Sequence, residues 1–146
     1  MDIISEIEIY NYFNYRVRYI DQINDKDEFV ADLILDISVM KNNMFSLSDY
    51  QPKCTEDKEL FASLYTGYEK YKDAGSKIDF DDMLVMAKEV LDTNPEILLY
   101  LRSCYSYIQV DEYQDTNYIQ RDIVYSLAGE NGNLAVVGDD DQSIYM

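Results

Sequence analysis

The sequence predicts an α/β chain that is predominantly helical, in which a helical subdomain is followed by part of a parallel sheet. Two observations carry this prediction. Over residues 1–105 apolar side chains recur at spacings of three and four, the period of a helix face. Beyond residue 105 this period gives way to two short apolar runs, 107–110 and 134–137, with one amphipathic stretch between them. That is the order of a β-α-β unit over 107–137. The 146 residues suit one domain or two small lobes. The change of character divides them into 1–76, helical, and 77–146, α/β.

Each element has its own signal. Ile3, Ile7, Tyr10, Phe13, Val17 and Ile20 form one helical stripe. Asp25, with Glu28 three residues on, has the pattern of a capping box before a second stripe of Phe29, Leu33, Ile37 and Met40. Residues 42–54, with Asn42, Asn43, Ser46, Ser48 and Pro52, read as a connection. Thr55 is the expected cap of a third helix with stripe Leu60, Leu64, Tyr68 and Tyr71, and Gly75 its expected stop. The tyrosines of this stripe and Tyr65 are expected to pack, because their spacing is that of a helix face.

Asp79-Phe80-Asp81-Asp82 opens a fourth helix, with acidic residues where the helix dipole favours them. Met83, Leu84, Ala87, Val90 and Leu91 are its expected buried face. Asn94-Pro95 closes that helix and starts another, with Asn94 as the expected cap and Pro95 at the first helical position. Tyr107-Ile108-Gln109-Val110 is a short strand, Asn117 caps a helix carrying Ile119, Ile123 and Leu127, and a turn with Gly129 and Gly132 leads to the strand Leu134-Ala135-Val136-Val137. Short apolar strands joined through a helix argue a buried parallel sheet.

Composition removes several classes of function. With 47% hydrophobic and 28% charged residues the chain can build a core, so global disorder is not expected. No apolar run reaches the roughly 18 residues of a membrane span. The start lacks a basic segment followed by an apolar one, so no signal peptide is expected. Cys54 and Cys104 stand far apart and are expected as reduced thiols in a cytoplasmic protein. The absence of His argues against zinc sites and removes Ser-His-Asp and Cys-His chemistry. Any catalysis must use carboxylates, metal or amides.

The net charge is −17, with 8 basic against 15 acidic side chains in 1–75 and 4 against 14 in 76–146. Phosphate binding needs cations, so this balance argues against an independent nucleic-acid binder.

The chemistry concentrates at the strand ends, where open α/β sheets bind ligands. The first strand runs into Asp111-Glu112-Tyr113-Gln114-Asp115-Thr116-Asn117, the second into Gly138-Asp139-Asp140-Asp141-Gln142-Ser143-Ile144-Tyr145. Adjacent parallel strands bring both to one edge. One reading is a pair of solvated acidic turns. The other is a nucleotide-hydrolysis site. Asp111 faces a Mg²⁺ and its water shell. Glu112 faces the attacking water. The Gln142 amide senses a terminal phosphate.

These residues resemble a known family. Ile108-Gln109-Val110-Asp111-Glu112-Tyr113-Gln114-Asp115-Thr116-Asn117 resembles motif II, the Walker B element, of the UvrD/Rep/PcrA group of superfamily 1 DNA helicases. Val136-Val137-Gly138-Asp139-Asp140-Asp141-Gln142-Ser143-Ile144-Tyr145 resembles their motif III. Ile78-Asp79-Phe80-Asp81-Asp82-Met83-Leu84 is similar to the acidic segment upstream of motif II, and Ile37-Ser38-Val39-Met40-Lys41-Asn42-Asn43 to part of the helical insertion. The likeness covers roughly residues 30–146, with the motifs in family order and spacing.

The resemblance implies a P-loop-NTPase-type, RecA-like sheet and an ATP-dependent helicase that translocates 3′ to 5′ on single-stranded DNA, with a place in DNA repair. ATP and Mg²⁺ are the implied cofactors. Asp111 then holds Mg²⁺, with Glu112 in the same metal surroundings and acting as general base. Gln142 contacts the γ-phosphate and couples it to DNA, and Tyr145 stacks on a base. Asp139 and Asp141 shape the loop or belong to the metal shell.

Departures from the family pattern are as informative. No Gly-x-x-x-x-Gly-Lys-Ser/Thr is present, and neither is the aromatic-Arg-Gly segment after motif III, nor a second motor domain. The implied object is an internal fragment, inactive alone, whose partners are the missing motor domains of the same parent chain and which is prone to self-association. Two alternatives stand beside it: a non-enzymatic interaction module or relic derived from a helicase, and the motor part of a helicase-nuclease. Flanking sequence discriminates them.

Overall fold

Two-residue strands tie the first helix to the end of the third: β1 (Asp2–Ile3) runs parallel to β2 (Lys77–Ile78), with Asp2 opposite Lys77 and Ile3 opposite Ile78. The computed structural model describes residues 1–130 and 132–139, and the chain packs as two units, Met1–Met83 and Leu84–Met146.

The first unit is built on α1 (Glu6–Val17), α2 (Lys26–Asn42) and α3 (Lys58–Gly75). Ser5 caps α1, its Oγ accepting from Glu8 N at 3.2 Å. The predicted first stripe is corrected at three places. Ile3 is in β1, Ile20 lies in the turn after the helix, and Ile7 is 74% exposed. With 3.6 residues per turn Ile7 stands about 120° around the helix from the buried Phe13, off the buried face. The buried face is Tyr12, Phe13 and Val17.

The second stripe is buried as its spacing requires: Phe29, Leu33, Ile37 and Met40 all enter the core. Asp25 caps α2 by accepting from the Asp27 and Glu28 amides. In α3 the cap is Asp57, which accepts from Glu59 N and Leu60 N at 3.0 Å. Thr55 instead holds Asp57 in place, its Oγ1 accepting from Asp57 N. Gly75 is the last helical residue and Ser76 takes the left-handed conformation, φ 49°. The reversal comes one residue late because the Ser76 carbonyl accepts from Asp2 N at 3.1 Å.

Aromatic rings fill the space between α1 and α3. Tyr68 is buried, and Tyr12 stands 4.7 Å from Tyr71 and 5.4 Å from Tyr68, centroid to centroid. The tyrosine stripe therefore packs.

Two buried polar centres organise this unit. Asp36 on α2 accepts from Tyr50 Oη, Lys53 N and Cys54 N, each at 2.8 Å, and so pins the 43–57 connection. Burial, then Asp36, pushes the Cys54 thiol up to about 12.

The second centre is Asp79. Its carboxylate accepts from Lys41 Nζ at 3.1 Å, and from Lys72 Nζ and Tyr68 Oη at 3.0 Å. It also caps α4 (Phe80–Thr93): Asp82 N donates to Asp79 Oδ1 at 2.7 Å and Asp79 N to Asp82 Oδ2 at 3.0 Å, a reciprocal box. Burial opposes ionisation of Asp79. The Lys41 charge, the Asp82 amide and Lys72 outweigh it and hold the carboxyl down at about 2. Burial alone would lower the Lys72 ammonium, but its carboxylate partners raise it well above the ordinary range.

The second unit contains the rest of α4, then α5 (Pro95–Cys104), β3 (Ile108–Val110), a 3-10 turn (Tyr113–Asp115), α6 (Tyr118–Ala128) and β4 (Leu134–Val136). Pro95 opens α5, but Asn94 makes no capping bond and turns its side chain back to Val90 O. Arg102 on α5 donates Nε and Nη2 to Ser126 O, at 2.9 and 2.6 Å, and Lys88 on α4 reaches Asp122 on α6 at 3.0 Å. The predicted buried face of α4 is corrected to Leu91; Met83, Ala87 and Val90 are exposed.

Asn117 caps α6 in a full box with Gln120, and Ile119 is wholly buried. Gly129 ends the helix at φ 66°, a conformation that suits glycine. β3 and β4 are parallel, as expected, with Ile108, Gln109 and Val110 opposite Leu134, Ala135 and Val136. The sheet is not buried, however: Val136 and Val137 are about half exposed. Among the described residues each strand has only the other as neighbour, so the sheet has two open edges.

Candidate functional site

The parallel register brings the carboxyl ends of β3 and β4 together. Val137 N donates to Val110 O at 2.8 Å, and Tyr113 N to Val137 O at 2.9 Å, so pairing continues past both strands into the loops. Asp111 and Glu112 leave β3 at this point and are exposed.

Glu112 is held in a left-handed conformation, φ 49° and ψ 44°. For a non-glycine residue this costs on the order of 1 kcal/mol and persists only where neighbours enforce it. Three bonds do so. Glu112 N donates to Asp111 Oδ1 at 2.9 Å, the turn closes through Asp115 N to Glu112 O at 2.9 Å, and Gln114 Nε2 donates to Glu112 Oε2 at 2.6 Å. The same Gln114 side chain crosses to the other strand, where its Oε1 accepts from Asp139 N at 3.0 Å. Gly138 makes room for it: a Cβ there would stand 2.5 Å from Gln114 Oε1 and 3.2 Å from Tyr113 N.

The structure thus brings together Asp111, Glu112 and the Gly138-Asp139 backbone. Asp140, Asp141, Gln142 and Tyr145 lie outside the described residues. Asp111 and Glu112 offer a water-accessible, all-oxygen donor set, which fits Mg²⁺. A nucleotide triphosphate needs cations and backbone donors as well. The described cations of this unit are engaged elsewhere: Lys88 by Asp92 and Asp122, Arg102 by Ser126 O, Arg121 by Asn117 O. A second acidic group, Glu69, Asp79 and Asp82, converges within 4.8 Å, but the Lys41 and Lys72 ammoniums occupy its centre. It is an ion cluster.

Comparison with known proteins shows the family. The family described as UvrD/REP helicase N-terminal domain matches residues 2–146. The chain belongs to that family. Curated relatives of this UvrD/REP chain include the ATP-dependent DNA helicase PcrA of Staphylococcus aureus (strain Mu50 / ATCC 700699), 40% identical over 110 residues. That alignment covers 75% of this chain and 15% of the relative. The PcrA of Staphylococcus epidermidis (strain ATCC 12228 / FDA PCI 1200) is 39% identical over the same shares. The chain therefore spans about 15% of the length of the relatives it matches, a fragment of a UvrD/PcrA-type helicase.

Within this UvrD/REP chain, sequence reasoning missed Gln114 as part of the site. It lies in the Asp111–Asn117 run, but only the left-handed turn at Glu112 folds its amide back between the strands. It also missed the cluster around Asp79. A signal was present there: Lys72 stands four residues beyond Tyr68 on the buried stripe of α3, where an unpaired charge could not be tolerated.

Proposed function

We propose that this chain is the segment of an ATP-dependent DNA helicase that supplies the Mg²⁺ ligand and the water-orienting carboxylate of a RecA-like ATPase core. Residues 1–76 are its helical insertion and 77–146 part of the core. The observation that supports this best is the exposed Asp111-Glu112 pair at the carboxyl end of a parallel strand, hydrogen-bonded through Gln114 to the next strand's tip.

In this reading Asp111 holds Mg²⁺, and Glu112, sharing the metal's surroundings, takes a proton from the attacking water. Gln142 contacts the γ-phosphate, and Tyr145 stacks on single-stranded DNA. The intact parent binds ATP and Mg²⁺, moves 3′ to 5′ on single-stranded DNA and works in the cytoplasm. Bound Mg²⁺ supplies charge neutralisation at the phosphates; the protein supplies placement of the water and of the metal.

Alone, the chain has no P-loop to cradle the β- and γ-phosphates, so positioning catalysis cannot operate. Phosphate-release assays on the 146-residue chain should show no turnover above background, with or without DNA. In a parent helicase carrying this segment, Glu112→Gln should retain nucleotide binding and lose turnover by roughly 10²-fold or more, the scale of losing a general base. Clear turnover by the fragment overturns its incompleteness. Near-normal turnover by the variant removes Glu112 from the role of base.

A further inference from the structure

We propose that Gln114 is a positioning residue: its amide fixes the Glu112 carboxylate and couples it to the tip of β4, so that the two strand-end loops are set by one side chain. This rests on the reading of Glu112 as general base.

The orientation of the amide is dictated by its neighbours. A carboxylate only accepts, so Glu112 Oε2 must face the amide NH2; a backbone N–H only donates, so Asp139 N must face the amide oxygen. Each end of the amide is therefore matched to a different strand, and neither bond can be kept if the side chain swings away. The 2.6 Å bond to Glu112 is short because one partner is charged.

Two further features act on the same side chain. The left-handed turn at Glu112 brings residue 114 back beside residue 112. On the other strand, the absent Cβ of Gly138 leaves the space that Gln114 Oε1 occupies. A shift of the β4 tip must therefore be felt at the Glu112 carboxylate. Displacement of a catalytic group by about 1 Å can cost about 10²-fold in rate.

The test uses a parent helicase carrying this segment and measures DNA-stimulated ATP hydrolysis. Gln114→Ala should lower kcat about tenfold or more while leaving KM for ATP within about twofold, the pattern of a group that acts on the chemical step and not on binding. Gln114→Glu keeps the size and an acceptor for Asp139 N, but sets a second carboxylate against Glu112. The like charge should push the Glu112 carboxylate out of place, so kcat should fall as for Gln114→Ala while KM for ATP stays within about twofold. A merely structural role would not divide kcat from KM in this way. Gly138→Ala should reproduce the Gln114→Ala loss, and the double variant should be no worse than either single one, because both remove the same bridge.

Turnover by Gln114→Ala within twofold of the parent overturns the proposal. So does a kcat for Gln114→Glu within twofold of the parent, or losses that add in the double variant. Glu112→Gln separates the two levels: normal turnover there removes the base itself, whereas an inactive Glu112→Gln beside a normal Gln114→Ala removes only the positioning role.

Discussion

Lys72 Nζ lies 3.0 Å from Asp79 Oδ2 inside the first unit, and the two residues are only 1% and 4% exposed. The pair joins the last turns of α3 to the start of α4, and Lys41 of α2 and Tyr68 of α3 complete it. Buried charges are tolerated here because each finds several partners: Lys72 reaches Asp79, Asp82 and Glu69, and Asp79 receives two ammoniums, a phenol and the Asp82 amide. One residue thus caps a helix and closes the core.

Removing one partner should be costly. Lys72→Met leaves Asp79, Asp82 and Glu69 sharing the single Lys41 ammonium, with Asp79 buried. The expected loss is about 3–5 kcal/mol, that of breaking a buried ion pair. Urea unfolding of the chain measures it. A loss under about 1 kcal/mol would show that the cluster is dispensable.

The cluster also sets an acid limit. Asp79 is held at about 2, below its ordinary 3.8, so its ionised form is favoured by folding. The stability it contributes is fully present above pH of about 4 and is lost as pH falls toward 2. The amount is on the order of 2 kcal/mol. Thermal melts from pH 5 to pH 2 should show this decline, and Asp79→Asn, starting less stable, should show a flatter one. Equal slopes would remove Asp79 as the titrating group.

The isolated chain should bind single-stranded DNA poorly. Its net charge is −17, and phosphate contacts require cations. Fluorescence anisotropy near physiological salt should give a Kd weaker than about 100 µM, the weak end of non-specific binding. Micromolar binding would establish an independent DNA-binding role.

Self-association is expected at high concentration. Among the described residues β3 and β4 each leave an edge unpaired, and Ile3, Ile7 and Phe80 are more than half exposed. Open edges and exposed apolar side chains are ready sites for pairing between copies. Light scattering over a concentration series should show mass rising above 17.1 kDa. A constant monomer mass would count against it.

Much of the architecture was legible in local patterns. The α2 stripe, the Asp25 and Asn117 caps, the Pro95 helix start and the parallel pairing of 108–110 with 134–136 follow from spacing, capping chemistry and the β-α-β order. These are short-range properties, set by neighbours within a turn or by the connection length. Asp111 and Glu112 were legible for the same reason: they directly follow an apolar strand.

What the sequence by itself determined, then, is the helical character of the first half, the β-α-β order and the placing of the acidic residues at a strand end. Only the tertiary structure decided the rest. It put Ile3 in a strand with Ile78, because a partner 75 residues away supplies hydrogen bonds that a helix pattern cannot announce. It left Ile7, Met83 and Val90 exposed, because burial depends on what packs opposite and not on the stripe alone. It drew Lys41, Lys72 and Asp79 into one buried cluster, and it laid Gln114 between Glu112 and Asp139. In each case the deciding contact is long in sequence or depends on a backbone reversal. Local periodicity records neither, since it reports only which side chains share a face.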